Sequence, residues 1–192
     1  MSSSNRRSHL TQVLQAYQPR SAQEQADVER LRQVAESADP WTRASPLHVT
    51  GSALVVHPPT GRVLLRWHAR LRGWLQVGGH ADPGETDPFA VALREALEET
   101  GLHDLQAWPN AAAPEILHVA VVPVPAGNGE PPHHHGDIRY ALSTGTPEAI
   151  VPETDAAPVR WLSLDEALAE TGKDNLRIAL RRIANMLVQT AA

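Results

Sequence analysis

The spacing of apolar residues divides this chain into a helical beginning, a strand-rich middle and a helical end. Apolar positions three or four apart predict helices over residues 10–17 and from residue 21 or 22 to 38, after a polar start at residues 1–8 that we expect to be disordered. Shorter apolar runs between turn signals then predict strands at residues 49–56, 62–67, 74–77, 113–124, 138–143 and 158–162.

Further helices are predicted between and after these strands. Asp87 followed by Pro88 suits an N-cap and a first-turn proline, so we expect a helix over residues 88–100 that ends at Gly101. Its buried residues should be Phe89, Leu93, Ala96 and Leu97. A short helix should start at Asp165, and residues 175–188 form an amphipathic C-terminal helix. Mixed strands with helices on both sides predict an α/β protein with an α/β/α sandwich.

The change from helical to strand spacing suggests two units. We expect an N-terminal helical extension over residues 1–44 and a main domain over residues 45–192 that includes the C-terminal helix. The extension is interpreted as a packing appendage on the domain, or as a segment that supports a homodimer or covers a substrate.

Composition narrows the class of protein. The 192 residues suffice for one domain with a real core, and a net charge of −5 with a pI near 6.0 gives no sign of a nucleic-acid or membrane surface. The chain has no cysteine, which excludes disulfides, thiolate zinc sites and cysteine nucleophiles. Apolar runs fall short of the roughly 18 residues of a membrane span, and the polar start is unlike a signal peptide. We therefore expect a soluble cytoplasmic protein.

Acidic residues concentrate on the predicted helix 88–100. Glu95, Glu98 and Glu99 stand at i, i+3 and i+4, so their side chains share one face and repel by a few tenths of a kcal/mol per pair. A hard cation such as Mg²⁺ relieves this repulsion, because it takes carboxylate oxygens together with substrate phosphates. Paired glutamates on a solvated helix usually have no such role. A metal site is favoured here by the order of the whole segment: Gly78-Gly79, Pro83-Gly84-Glu85, Arg94-Glu95, Glu98-Glu99 and Gly101.

This segment resembles the Nudix box, whose pattern is Gly, five residues, Glu, seven residues, Arg-Glu, an apolar residue, any residue, Glu-Glu, any residue, Gly and an apolar residue. Residues 79–85 have the five-residue gap, and residues 94–102 match the second half. Eight residues, rather than seven, separate Glu85 from Arg94, and the extra one falls at the junction of loop and helix. The similarity in layout extends from about His48 to Leu168 and implies the Nudix-type sandwich with a mixed sheet.

The resemblance implies a Mg²⁺-dependent hydrolase, with Mn²⁺ as the alternative ion. Its substrate would be a nucleoside diphosphate linked to another group, or a related organic pyrophosphate, cleaved by water attack at phosphorus. The implied metal ligands are the carboxylates of Glu95, Glu98 and Glu99 and the carbonyl oxygen of Gly78, with Glu85 as a further ligand or as the partner of Arg94. The implied catalytic residues are Glu98, Glu95 and Arg94. We prefer Glu98 as the general base, ahead of four later acids: Glu130, Asp137, Glu153 and Asp155.

Two other functions compete with hydrolysis. An isomerase of the isopentenyl diphosphate type shares this fold, but the members we know need a catalytic cysteine, which this chain lacks. A non-catalytic nucleotide or metabolite sensor is the stronger alternative. Such proteins usually lose carboxylates of the box, whereas this box retains all of them.

The stretch 131–140 is the second unusual feature, with three adjacent histidines at 133–135. If its strand starts early, His135, Asp137 and Arg139 alternate onto one face, where they could bind phosphate or a second cation. Two histidines and a carboxylate also suit a transition metal, although a permanent zinc site is disfavoured by the absent thiolates and unusual spacing. The alternative is a polar strand edge with solvated histidines.

The remaining candidate substrate contacts are aromatic and basic. Trp74, four residues before Gly78, is the aromatic residue best placed to stack on a base, with buried anchoring as the alternative. Arg72, with Arg66 and Arg70, belongs to a basic segment that either contacts phosphates or faces solvent. No motif identifies the base or sugar of a substrate.

Overall fold

The computed structural model describes residues 3–37, 39–127 and 129–190. Helices at both ends enclose a strand-rich middle. In chain order the elements are α1 (Ser3–Ala16), α2 (Ala22–Ser37), β1 (Leu47–His57), β2 (Arg62–His68), β3 (Gly73–Leu75), β4 (Val77–His80), α3 (Pro88–Thr100), β5 (Gln106–Ala107), β6 (Ile116–Val124), β7 (His133–Ser143), β8 (Val159–Leu162), α4 (Leu164–Glu170) and α5 (Asp174–Thr190).

The strands of the described residues form one eight-stranded mixed sheet. Its main path runs β3-β2-β1-β7-β5, while β4 pairs with β1, β6 with β7 and β8 with β2. The central pair, β1 and β7, is parallel, and the other pairs are antiparallel. This confirms the predicted mixed sheet with helices on both sides.

Two glycines let helices approach one face of the sheet closely. A Cβ on Gly51 would lie 2.5 Å from the carbonyl oxygen of Pro88, so α3 packs directly on β1. A Cβ on Gly136 would lie 2.1 Å from Cδ2 of Leu31, so α2 packs on β7. On the opposite face, α4 and α5 pack against Leu54 and other buried residues of the sheet. The result is the predicted α/β/α sandwich.

Helix α3 has the predicted ends. The side chain of Asp87 accepts a hydrogen bond of 2.9 Å from the backbone N–H of Phe89, and Gly101 ends the helix with a φ of 67°. The predicted buried stripe was partly wrong, because the helix is rotated so that Val91, Ala92 and Ala96 face the sheet. The other predicted members of that stripe, Phe89, Leu93 and Leu97, are half-buried.

Strand bounds differ from prediction in the two places that matter for the site. Strand β7 begins at His133, five residues before the predicted start, because its early residues pair with both β1 and β6. The glycine pair 78–79 lies within β4, where Gly78 pairs with Ser52 of β1. Both differences come from partners far away in sequence, which local propensity does not report.

The N-terminal helices pack onto the sandwich. Helix α1 already starts at Ser3, within the stretch expected to be disordered, while residues 1 and 2 lie outside the described part of the chain. Leu14 and Leu31 are fully buried in the same apolar cluster as Val49 of β1. Within the described ranges, no helix combines the length and the apolar character that a membrane crossing requires.

A buried polar network joins this extension to the C-terminal helix. Glu24 of α2 is 1% exposed and accepts hydrogen bonds from Tyr17, from Nη2 of Arg182 at 2.7 Å and from the backbone N–H of Val119 at 3.2 Å. Burial alone would raise the pKa of Glu24, but the hydrogen bonds from Arg182 and Tyr17 lower it to about 2. These contacts support the interpretation of the extension as a packed appendage.

Candidate active site

The glycine pair of β4 makes room for an acidic side chain of α3. A Cβ on Gly79 would lie 2.5 Å from the carboxylate oxygen Oε1 of Glu95. Gly78 has a φ of 146°, and a Cβ there would lie 2.4 Å from Cβ of Ser52. Only glycine fits both requirements, because it has no Cβ and tolerates a positive φ. The pair thus brings the backbone of β4 against the carboxylate of Glu95.

Arg94 binds three carboxylates and the backbone at the end of β4. Its guanidinium binds Glu85 bidentately, with Nε–Oε1 and Nη2–Oε2 distances of 3.0 Å each. Nη1 donates to Glu95 at 3.1 Å and to Glu98 at 2.9 Å, and Nη2 donates to the carbonyl of His80 at 2.8 Å. The extra residue between Glu85 and Arg94 therefore leaves their contact intact.

Glu99 is the most buried carboxylate of the group, at 8% exposure. One oxygen accepts a 2.9 Å hydrogen bond from the backbone N–H of Gly78, and the other lies 3.1 Å from Nη1 of Arg66. Burial raises the pKa of Glu99 to about 7, with a smaller contribution from the negative charge of Glu95, and the Gly78 and Arg66 contacts oppose this rise. Nη2 of Arg66 also binds Glu153 at 3.0 Å, which brings one later candidate acid to the site.

The donor set suits a hard divalent cation. Burial raises the pKa of both Glu95 and Glu99, which means that their negative charges are poorly compensated without a cation. Carboxylate oxygens are the ligands that Mg²⁺ takes in proteins. These oxygens are spread around Arg94 and Arg66. Among the described residues, one group of three potential metal ligands has its ligand atoms within 4.8 Å of one another. That group consists of imidazoles rather than carboxylates: His48, His133 and His135.

The predicted alternation along β7 is confirmed, but the side chains of Asp137 and Arg139 are buried in the protein interior. Arg139 is 2% exposed and donates to Asp137 at 2.8 Å and to the carbonyl of Asn175 at 2.9 Å. Asp137 also accepts from Thr50 and from Gln76. Since β7 lies between β1 and β6, the alternative of a solvated polar edge was wrong. This network favours a structural role for Asp137 and Arg139 over the predicted contact with substrate.

The third residue of that face, His135, lies among other histidines. His80 is half-buried, and its Nε2 atom lies 3.2 Å from Nε2 of His135 and 3.1 Å from Nε2 of His48. His48 was missed as a functional candidate because it is 87 positions from His135 in the chain. The signal that finds it is strand pairing, which sets His48 directly opposite His135.

The predicted aromatic and basic contacts lie on the neighbouring strands. Trp74 is half-buried, with the guanidinium of Arg160 5.1 Å above its ring and Trp67 packed edge-on at 5.6 Å. These contacts favour anchoring over base stacking. Arg72 is exposed in the turn between β2 and β3 and has a φ of 48°. Arg66, in contrast, contacts the carboxylates of the site directly.

Comparisons with known proteins agree with this geometry. The family model of the NUDIX domain matches residues 46–183. An 8-oxo-(d)GTP phosphatase of Mycolicibacterium smegmatis is 28% identical over 134 residues, which are 70% of this chain and 37% of that protein. The chain thus spans little more than a third of that relative's length.

Two solved structures show the same fold. A NUDIX-family hydrolase from Clostridium perfringens has a TM-score of 0.56 at 23% identity, over 72% of this chain and 97% of its own. The Ap4A hydrolase of C. elegans, in a binary complex, has a TM-score of 0.54 at 19% identity, over 73% of this chain and 98% of its own. Since the family model covers well over half of the sequence and its box residues meet around Arg94, this chain belongs to the Nudix hydrolase superfamily.

Proposed function

We propose that this chain is a Mg²⁺-dependent pyrophosphohydrolase that cleaves a nucleoside diphosphate derivative or a related organic pyrophosphate. The observation that carries the proposal is the convergence of Glu85, Glu95 and Glu98 on Arg94, beside the buried Glu99 and the glycine pair of β4. The relatives support a nucleotide substrate, because one is an 8-oxo-(d)GTP phosphatase and a structural neighbour is an Ap4A hydrolase.

The proposed metal ligands are Glu95, Glu98, Glu99, Glu85 and the carbonyl of Gly78, with Mn²⁺ as the alternative ion. When bound, the ion would supply positive charge to the phosphate oxygens of the substrate. The protein's part is to keep these carboxylates in place. Arg94 fixes three of them, and the Gly78 N–H and Arg66 fix Glu99.

We propose that Glu98 is the general base that accepts the proton of the attacking water. The side chain of Glu98 is 53% exposed, more than those of Glu95 and Glu99 on the same helix, so water reaches it. Arg94 holds one of its oxygens. As the water oxygen bonds to phosphorus, its proton passes to Glu98, and the bridging P–O bond breaks to release a phosphorylated fragment. Glu153 is the second candidate base, because Arg66 brings it beside Glu99.

The test is a panel of pyrophosphate-linked nucleotides, including 8-oxo-dGTP and Ap4A, assayed for Mg²⁺-dependent release of phosphate-containing products. We expect Glu98→Gln and Glu99→Gln each to lower the rate by at least ~10²-fold, the scale for removing a charge-stabilising group at a reacting phosphate. Glu148→Gln, at an exposed position outside the box sequence, is the control and should keep wild-type turnover. Full turnover in both α3 variants would refute the assigned roles.

A metabolite sensor that keeps the fold is the second candidate function. This function would be favoured if the wild type hydrolysed no compound of the panel but a nucleotide raised its melting temperature. Ligand binding to the folded state raises the melting temperature. The complete set of box carboxylates argues for catalysis instead. A homodimer and a cytoplasmic location stay predictions from the sequence.

A further inference from the structure

Four histidines meet where the first residues of β1 and β7 lie beside the end of β4. His48 belongs to β1, His133 and His135 to β7, and His80 is the last residue of β4. In the sheet His48 pairs with His135, and His80 pairs with Thr50, two residues after His48. Residues two apart on a strand point to the same face, so all four imidazoles are on the face opposite α3.

Three pairs of Nε2 atoms in this cluster lie within hydrogen-bond distance of one another. The Nε2 atom of His80 lies 3.1 Å from that of His48 and 3.2 Å from that of His135, which lies 3.2 Å from Nε2 of His133. Ligand atoms of His48, His133 and His135 all fall within 4.8 Å of one another. Zn–N bonds of about 2.0–2.1 Å in a tetrahedral site place the nitrogens roughly 3.3–3.4 Å apart, close to the three separations His80–His48, His80–His135 and His135–His133.

Backbone carbonyls orient two of the rings. Nδ1 of His48 lies 2.9 Å from the carbonyl oxygen of Ser45, and Nδ1 of His133 lies 2.9 Å from that of Pro131. A carbonyl only accepts, so Nδ1 carries the proton in each ring and Nε2 of the neutral imidazole carries a lone pair. A carbonyl partner on the far nitrogen is also the usual outer-shell contact of a metal-bound histidine.

These tautomers leave the cluster without a complete set of hydrogen bonds. Nε2 of His80 must carry a proton to donate to His48, and Nε2 of His135 must carry one to donate to His133. The 3.2 Å contact between His80 and His135 then joins two donors. Any other neutral arrangement leaves two lone pairs facing each other. A cation that accepts lone pairs from all four nitrogens resolves the conflict.

Burial favours the neutral form of two rings of the cluster, those of His48 and His135. His48 is 1% exposed and His133 is 9% exposed. Burial, aided by the neighbouring imidazoles, lowers the pKa of His48 and lowers that of His135 to about 4. Neutral imidazole is the form that coordinates a metal.

We propose that His48, His80, His133 and His135 bind one late first-row transition metal ion, with Zn²⁺ as the representative ion. Imidazole nitrogen suits Zn²⁺, Cu²⁺ and Ni²⁺, whereas Mg²⁺ takes oxygen ligands. The site is therefore chemically distinct from the carboxylates of α3 and stands independently of the proposed hydrolase activity.

The metal would tie three strands together and secure the box. It would cross-link β1, β4 and β7 where β1 and β7 begin, through side chains from each strand. His80 joins the two sites, because its ring belongs to the histidine cluster while its backbone carbonyl accepts the 2.8 Å hydrogen bond from Arg94. Occupancy should therefore stabilise the fold and hold the loop that carries Glu85.

The test uses the full chain made without a histidine tag, stripped with a chelator and titrated with Zn²⁺ against a competing indicator. We expect one equivalent of Zn²⁺ to bind and to raise the melting temperature, and one equivalent of Co²⁺ to give the visible absorption of a nitrogen-ligated ion. His48→Gln and His135→Gln should each weaken Zn²⁺ binding by at least ~10²-fold, since altering an outer-shell partner alone already costs about 10- to 100-fold.

His134→Gln is the matched control, because this neighbour on β7 points to the other face of the sheet and should bind Zn²⁺ as the wild type does. Glu99→Gln separates the two sites and should also leave Zn²⁺ binding unchanged. The proposal is overturned if the stripped wild type takes up no Zn²⁺, or if Glu99→Gln abolishes uptake that His48→Gln and His135→Gln preserve.

Discussion

Replacing Glu24 with Gln removes the negative charge that the buried Arg182 meets between the N-terminal extension and α5. The carboxylate accepts from two guanidinium nitrogens of Arg182, with its Oε2 2.7 Å from Nη2 and its Oε1 2.8 Å from Nη1. An amide keeps the shape of the side chain but turns one acceptor into a donor facing the guanidinium. Glu24→Gln thus leaves a buried cation without its counter-charge.

Two independent arguments set the size of the effect. The pKa of Glu24 falls from 4.5 to about 2 on folding, which corresponds to about 3 kcal/mol of stability at neutral pH. Removing one partner of a buried ion pair costs about 3–5 kcal/mol in measured cases. We therefore expect Glu24→Gln to lower the free energy of unfolding by about 3 kcal/mol at pH 7.

Urea unfolding followed by circular dichroism measures this difference, with Glu29→Gln as the matched control on the same helix. Glu29 is half-exposed and lies 3.9 Å from Arg32, so its loss should change stability by less than about 1 kcal/mol. Because folding lowers the pKa of Glu24, its stabilisation is complete above pH 4.5 and declines as the pH falls towards 2. The gap between wild type and Glu24→Gln should narrow by about 2 kcal/mol between pH 5.5 and pH 3. A gap that stays constant with pH, or that does not exceed that of Glu29→Gln, would refute the reasoning.

Two further substitutions test the site and its helix. Gly79→Ala would place a Cβ 2.5 Å from Oε1 of Glu95, so hydrolysis should fall by about 10²-fold, as expected for a misplacement near 1 Å, with little change in unfolding free energy. Gly172→Ala, where a Cβ meets open space, is its control in the same rate assay, and equal rates in the two variants would contradict this prediction. Asp87→Ala removes the acceptor for the N–H of Phe89 and should destabilise the protein by about 1 kcal/mol in urea, so an unchanged midpoint would mean that this cap contributes nothing.

Local patterns in the sequence were sufficient for the helices, for most of the strands and for the box, but they did not predict β5. The N-cap at Asp87 and the C-cap at Gly101 are both within one helical turn of the residues they cap, so they are readable without the fold. The early start of β7 was not readable, because its first residues gain their hydrogen bonds from β1 and β6. The rotation of α3, which buries Val91 and Ala92, also follows from the surface it packs against.

By itself, the sequence determined the family and the acidic helix, since the spacing of Glu85, Arg94 and the glutamates that follow is a property of the chain alone. The tertiary structure decided which charges meet. Arg66 reaches Glu99, Arg182 reaches Glu24, and the cluster that contains His48 assembles only once the sheet has formed. The physical reason is that strand order and register are set by burial of whole faces of the sheet. Residues far apart in the chain therefore become neighbours, and no local spacing in the sequence encodes which ones.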